Sequence, residues 1–411
     1  MEIVDGSQYL KEIKELIIEY TNQLNRDLSF QNLNQELQDL KAKYTGNHCR
    51  LLAALVDGKV VGCVGYYRHH RLRCEMKRLY VKKEYRKFGI GSKLIEQIIL
   101  AAKKDGYQEM VLDTIKPLQA AINLYQHFGF QEIEPYYDNP MDDVIYMGLI
   151  INDNYYLGAM KRFKEYVQNY DLNNDLIRLK VVHSYQVVKH TQYLCNQLNL
   201  NDEDKQLALV IALLHDLGRF EQYRIYHSFE DYRTIDHALF SSDLLFKQGL
   251  IKEFICNRKY DDLIKAAIEQ HNKYQVTGSN TNRELLFIHL IRDSDKLDNF
   301  RVKEVESIDT LLQTSKENLE LETITPGVYK QFMDGKLIYG PTRKTNLDKW
   351  ISYIAFIFDF HFQASLEYIK QENYLIRLFD RVDPKDKLTA KQYLQLKERA
   401  LKYVEDKVWK S

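Results

Sequence analysis

His215-Asp216 closes an apolar run, Leu207-Ala-Leu-Val-Ile-Ala-Leu-Leu214. Taking an imidazole and a carboxylate out of water together is costly unless something binds both. A divalent cation is the usual partner. Further candidate ligands flank the pair, with His183 upstream and His237, His271 and Asp295 downstream. Imidazole and carboxylate donors suit Mn, Fe, Zn, Co or Ni without choosing among them. Such an ion would lower the pKa of a bound water from about 15.7 toward about 7. The set therefore points to metal-dependent hydrolysis, with Asp216 both ligand and catalytic group. His190, His227 and His289 are read as ordinary helix or loop histidines.

A second chemistry is legible near residue 90. Arg86-Lys87-Phe88-Gly89-Ile90-Gly91 joins a strand ending near Val81 to a helix. Glycines at a helix start let backbone N–H groups face an anion, and the helix dipole favours the same charge. Taken alone, such a pair is also compatible with a tight packing turn.

These groups need two kinds of scaffold. Residues 7–24 and 31–43 have helical period, and Leu51–Val56 with Lys59–Tyr67 form a hairpin about Asp57-Gly58. Arg73–Val81 is a strand, Gly89–Lys104 a helix, Met110–Thr114 a strand, Leu118–His127 a helix and Val144–Ile151 a last strand. After Asn152-Asp153-Asn154 the strand signals vanish. Helices are expected at 156–170, 176–198, 202–217, 233–248, 260–271 and 284–299, then at 347–371, 374–379 and 389–408, with a looser stretch at 320–345. The fold class is multidomain: an N-terminal α/β domain with a mostly antiparallel central sheet, then an all-α region. The expected domains are 1–151, 155–300 and a helical extension, 301–411, read either as a cap over the cleft or as a homodimer surface.

A chain of 411 residues with 58 basic and 58 acidic side chains offers no global field for nucleic acid. Five cysteines without framework spacing favour a reducing compartment. No signal peptide opens the chain and no apolar run reaches a membrane span, so a cytoplasmic protein without membrane association is expected.

Arg86–Gly91 resembles the acyl-CoA-binding motif of the GNAT family of N-acetyltransferases, Gln/Arg-x-x-Gly-x-Gly/Ala, and Asn123-Leu124-Tyr125 with Gly129-Phe130 resembles that family's later helix and turn. The resemblance implies acetyl-CoA as cofactor and an amine acceptor. Arg86, Lys87, Phe88, Gly89, Ile90 and Gly91 would hold the pyrophosphate, and the backbone of Leu79-Tyr80-Val81 the pantetheine arm. Tyr125 would protonate the departing thiolate. Lys87 stands where the family usually has glycine. Glu75 is the candidate base, with an ordinary strand carboxylate paired to Lys77 or Arg78 as the alternative.

The order His183, His215-Asp216, Asp295, with Ser294-Asp-Lys-Leu297, resembles the HD superfamily of metal-dependent phosphohydrolases. The resemblance implies a phosphorylated small-molecule substrate and one or two divalent ions, Asp216 bridging a second if His237 and His271 take part. It selects Asp295 over Asp293 and Asp298, places Asp298 behind a ligand, and offers Arg219 and Lys296 to the substrate phosphate. Two readings of the whole remain: a bifunctional acetyltransferase and phosphohydrolase, or a phosphohydrolase regulated by a non-catalytic acyl-CoA sensor.

Overall fold

The computed structural model describes residues 1–24, 26, 29–46, 48–152, 154–278 and 280–408. Asp153, inside the expected joint, lies outside the described residues. The chain divides into two compact units, Met1–Gly158 with Lys252–Arg258, and Ala159–Ile251 with Lys259–Ser411.

The first unit is built on seven strands: β1 (Glu2–Asp5), β2 (Arg50–Val56), β3 (Lys59–His70), β4 (Arg73–Val81), β5 (Glu109–Ile115), β6 (Gln131–Glu132) and β7 (Val144–Ile150). They lie in the order β1-β2-β3-β4-β5-β7-β6. Every pair is antiparallel except β4 with β5. Those two strands share only three rungs, Arg73 with Glu109, Cys74 with Met110 and Glu75 with Val111. Beyond Glu75 they diverge, and the β5 side of β4 is left without a strand partner.

Period-two patterning makes both faces of the sheet apolar. Five helices cover them: α1 (Leu10–Leu24), α2 (Leu33–Gln38), α3 (Leu40–Tyr44), α4 (Ile90–Lys104) and α5 (Gln119–His127). Leu94, Ile95 and Ile98 of α4 pack on Cys74, Met76 and Met110. Ile13, Leu16 and Ile17 of α1 pack with Tyr44 on Ala53, Cys63 and Tyr80. Each such buried aliphatic contributes about 1.5–3 kcal/mol. The single helix expected over 31–43 breaks at Asp39, whose carboxylate accepts from the Ala42 N–H and caps α3 instead.

The second unit is helical. After α6 (Tyr155–Val167), its first half contains α7 (Asp175–Gln197), α8 (Asp202–Leu214), α9 (Leu217–Tyr226), α10 (His237–Ser242), α11 (Asp261–Gln270) and α12 (Asn282–Val305). Side chains of Asn174, Asn201 and Thr281 cap α7, α8 and α12. Every residue of Leu207–Leu214 is buried, which fixes α8 at the centre of this unit. Within the looser stretch expected over 320–345 lies one helix, Pro326–Met333, preceded by two short helices at Ile308–Leu312 and Lys316–Leu321, and the helix expected over 347–371 is interrupted by a 3-10 turn at Ala355–Asp359. Among the described residues no helix is long and apolar enough to cross a membrane.

Candidate active sites

In the first unit the divergence of β4 and β5 opens a cleft lined by Met76, Leu79, Asp113, Ile115 and Tyr125. Tyr125, on α5, is 8% exposed, and burial pushes its phenol well above the usual range, so the hydroxyl keeps its proton. At the cleft mouth α4 starts from Gly89 at φ 72° with no side chain capping it. Lys87 is also left-handed, at φ 76°. That conformation favours glycine, which gives the physical reason for the usual residue at this position. Gly91 abuts Leu124: a Cβ there would lie 3.4 Å from its Cδ2. Arg86 turns back to donate to the Val81 carbonyl at 3.0 Å, and Phe88 is 73% exposed.

Glu75 sits on the other side of β4, in a pocket with Tyr67, His69, Lys77 and Tyr137. It is buried, not solvated, and it pairs with Lys77 at 2.7 Å. Tyr136 donates to its Oε1 at 2.9 Å, and Tyr67 donates to Oε2. Arg78 occupies a bulge at φ 59° and chelates Glu36 at 2.7 and 2.9 Å.

In the second unit α7, α8, α10, α11 and α12 bring every expected ligand together. His183 Nε2 lies 3.1 Å from Asp295 Oδ1 and 3.6 Å from Asp216 Oδ2, and His215 Nε2 lies 3.7 Å from Asp216 Oδ2. The other oxygen, Asp216 Oδ1, faces His237 Nε2 at 3.4 Å and His271 Nε2 at 3.8 Å. One carboxylate thus stands between two groups, His183 with His215 and His237 with His271.

The ring orientations decide what this cluster can bind. His183 Nδ1 donates to Asp298 at 2.6 Å and His237 Nδ1 to Asp231 at 2.5 Å. His215 Nδ1 donates to the Ala212 carbonyl at 2.8 Å and His271 Nδ1 to that of Ile268 at 2.7 Å. His215 and His271 are held neutral by burial, so with Nδ1 protonated toward a carbonyl their Nε2 atoms are bare lone pairs. Burial also lowers the His183 ring, but hydrogen bonds to Asp295 and Asp298 outweigh it and push the ring up. His237 Nε2 and His271 Nε2 lie 3.1 Å apart. His183 Nε2, His215 Nε2 and Asp216 Oδ1 are buried without a hydrogen bond. Nε2 atoms converging on one buried carboxylate fit a cation, and the acceptors behind the imidazoles are the support that metal ligands require.

Electrostatics agree. Burial would raise the Asp216 carboxyl, but Lys180 at 2.7 Å, His215, His237 and Arg219 hold it well below the usual range. Burial, with His215 and His237 nearby, lowers His271 to about 3, so it is neutral at physiological pH.

The description "Acetyltransferase (GNAT) family" matches residues 11–130, and "HD domain" matches residues 181–300. An uncharacterized N-acetyltransferase of Schizosaccharomyces pombe is 42% identical over 34% of this chain and 88% of its own length. One of Dictyostelium discoideum is 32% identical over 36% of this chain and 98% of its own. The chain belongs to the GNAT acetyltransferase family. It carries an HD domain in the same polypeptide. A solved GNAT acetyltransferase from Staphylococcus aureus Mu50 is similar at 23% identity and TM-score 0.33, over 37% of this chain and 99% of that one.

Within the GNAT unit the structure gathers Leu79 and Tyr125 at one cleft and sets Glu75 in the adjoining pocket. Within the HD unit Arg219 and Lys296 are already engaged, with Asp231 at 2.7 Å and Asp359 at 2.9 Å. His227 caps the end of α9 and is exposed, whereas His289 stacks on His361 at 3.8 Å. Sequence reasoning missed Lys180 and the role of Asp231. Lys180 lies one turn before His183 on α7, and that spacing was the available signal.

Proposed function

We propose that this chain is a bifunctional enzyme, an acetyl-CoA-dependent N-acetyltransferase joined to a metal-dependent phosphohydrolase. The observation that carries the hydrolase reading is the convergence of four histidine Nε2 atoms on the Asp216 carboxylate. His183, His215, Asp216 and Asp295 would hold one ion, and Asp216, His237 and His271 a second. A bound divalent cation supplies Lewis acidity and an acidified water. The remaining work falls to the chain. Asp298 and Asp231 orient their imidazoles, the Ala212 and Ile268 carbonyls orient theirs, and Lys180 keeps Asp216 ionised. The donor set and the HD match support hydrolysis of a phosphorylated small molecule.

In the GNAT unit the amides of residues 86–91 and the open edge at Leu79 and Val81 suit the pyrophosphate and pantetheine of acetyl-CoA, which supplies the acetyl group. Tyr125 holds a proton for the leaving thiolate. Glu75 takes the proton of a small-molecule amine, relayed through Tyr67 or Tyr136. The first unit is the transferase, residues 155–300 are the hydrolase core, and 301–411 extend it. Elemental analysis of protein purified without chelator, with phosphatase and phosphodiesterase assays in Mn²⁺, tests the hydrolase. Absence of both metal and turnover would discard it. Acetyl-CoA turnover with a panel of amines tests the transferase, and tight CoA binding without turnover would favour an acyl-CoA sensor.

A further inference from the structure

Several cationic side chains stand around the imidazole–carboxylate cluster. Lys180 pairs with Asp216 at 2.7 Å, Arg219 with Asp231 at 2.7 Å, and Arg301 with Asp298 at 2.5 Å. Arg292 and Lys296 share Asp359 at 2.6 and 2.9 Å. Lys303 is the exception: among the described residues no carboxylate pairs with it, although it is only 8% exposed. Its Nζ meets Asn299 Oδ1 at a long 3.5 Å and lies 4.3 Å over the Tyr353 ring. An amide and an aromatic face are weak compensation for a buried ammonium.

Its place on the helix gives this meaning. Asp295, Asn299 and Lys303 follow one another at four-residue steps along one face of α12. Asn299 Nδ2 donates to Asp295 Oδ1 at 3.1 Å while its carbonyl faces Lys303, so a polar ladder runs from the cluster to the ammonium. Asn299, Asp295, Ser352 and Phe356 line a cavity that also includes His271. The Cα positions of Asp295 and Lys303 are two helical turns apart, about 12 Å along the axis, but their side chains reach toward each other and a single amide, that of Asn299, stands between them. The ammonium on the far side of that amide can meet an anionic group other than the one seated at the cluster.

We propose that Lys303 is a specificity-determining residue that binds a second anionic group of the substrate, remote from the phosphate to be hydrolysed. The favoured substrate class is then a phosphate ester carrying a further phosphate or carboxylate. This rests on the hydrolase reading of the cluster. Lys303 touches no reacting atom, so its loss should act on binding rather than on the chemical step.

The test compares phenyl phosphate, with one anionic group, and 1,6-hexanediol bisphosphate, with two, by calorimetry on metal-loaded and on chelator-treated protein. The wild-type chain should bind the bisphosphate about tenfold more tightly than the monophosphate. Lys303→Met and Lys303→Gln should lose that margin while keeping metal content and phenyl phosphate affinity, and Lys303→Arg should keep most of it. No margin in the wild-type chain, or a margin that survives in whichever neutral variant folds, overturns the proposal. A wild-type chain that takes up no divalent cation removes the hydrolase reading instead. A Lys303-dependent margin in that same metal-free protein would still establish the anion site.

Discussion

Asp216→Asn keeps the shape of the side chain and deletes one charge. In the metal-free chain that charge lies 2.7 Å from Lys180, and the two side chains are 3% and 19% exposed. Removing one partner of a buried pair costs about 3–5 kcal/mol. The partial exposure of Lys180 puts this case at the low end, about 3 kcal/mol. At roughly 2–4 °C per kcal/mol for a domain of this size, Tm should fall by about 6–12 °C. The effect on metal should be larger, because the two oxygens face different histidine pairs. Losing only the support behind a ligand costs about 10–100-fold in affinity. Losing the shared ligand itself should therefore exceed about 100-fold at both positions. His271→Ala, by contrast, should affect only the His237 side. Metal content after chelator-free purification, followed by Mn²⁺ titration calorimetry, reads the difference. An Asp216→Asn chain that loses one ion and holds the other at wild-type affinity would refute the shared-carboxylate reasoning.

Three further outcomes are expected. Tyr125→Phe should cut acetyl transfer by about 100-fold or more while leaving the CoA dissociation constant unchanged, as steady-state kinetics and calorimetry will show. Burial raises the Glu36 carboxyl, but Arg78 and Lys43 outweigh that and hold it at about 2, below its ordinary 4.5. A depressed acid gives stability that is fully present above pH 4.5 and lost as pH falls through about 2, amounting to about 3 kcal/mol. Glu36→Gln should flatten acid unfolding in that window; an unchanged profile would remove the ion pair from the account. Gly218→Ala would place a Cβ 2.7 Å from Ser241 N and 3.0 Å from the His237 carbonyl. It should cost about 1–3 kcal/mol and weaken metal binding on the His237 side, checked by thermal melts and Mn²⁺ titration.

The fold was legible where periodicity is strong. Arg73–Val81 was readable to the residue and the Asp57-Gly58 hairpin nearly so, its second strand running on past Tyr67 to His70, because alternation and turn chemistry agree there. Helix α9 was not, since Leu217, Gly218, Phe220 and Gln222 are its buried residues and make no apolar stripe. Helix α12 hid Lys303 for the opposite reason: it is buried on nearly all sides, so the lysine carries no amphipathic mark. The expected ligands were legible because the His-Asp pair sits after a wholly apolar helix. Their partners Lys180 and Asp231 were not, because a lysine or aspartate looks the same in sequence whether it faces water or a neighbouring helix. The environment of Glu75 depends on Tyr67 and Tyr136, which only the sheet brings near.

The three shared rungs between β4 and β5 leave an open seam running through the middle of a sheet that is otherwise continuous. Backbone groups from Met76 onward face that seam, and an unpaired strand invites pairing with another chain. An extended ligand laid in the seam would act as the missing strand. Amide hydrogens on this stretch should then exchange quickly in the free protein and slowly when CoA is present, and the free protein should be the more prone to aggregate. Ligand occupancy would in this way govern the solubility of the transferase half as well as its activity.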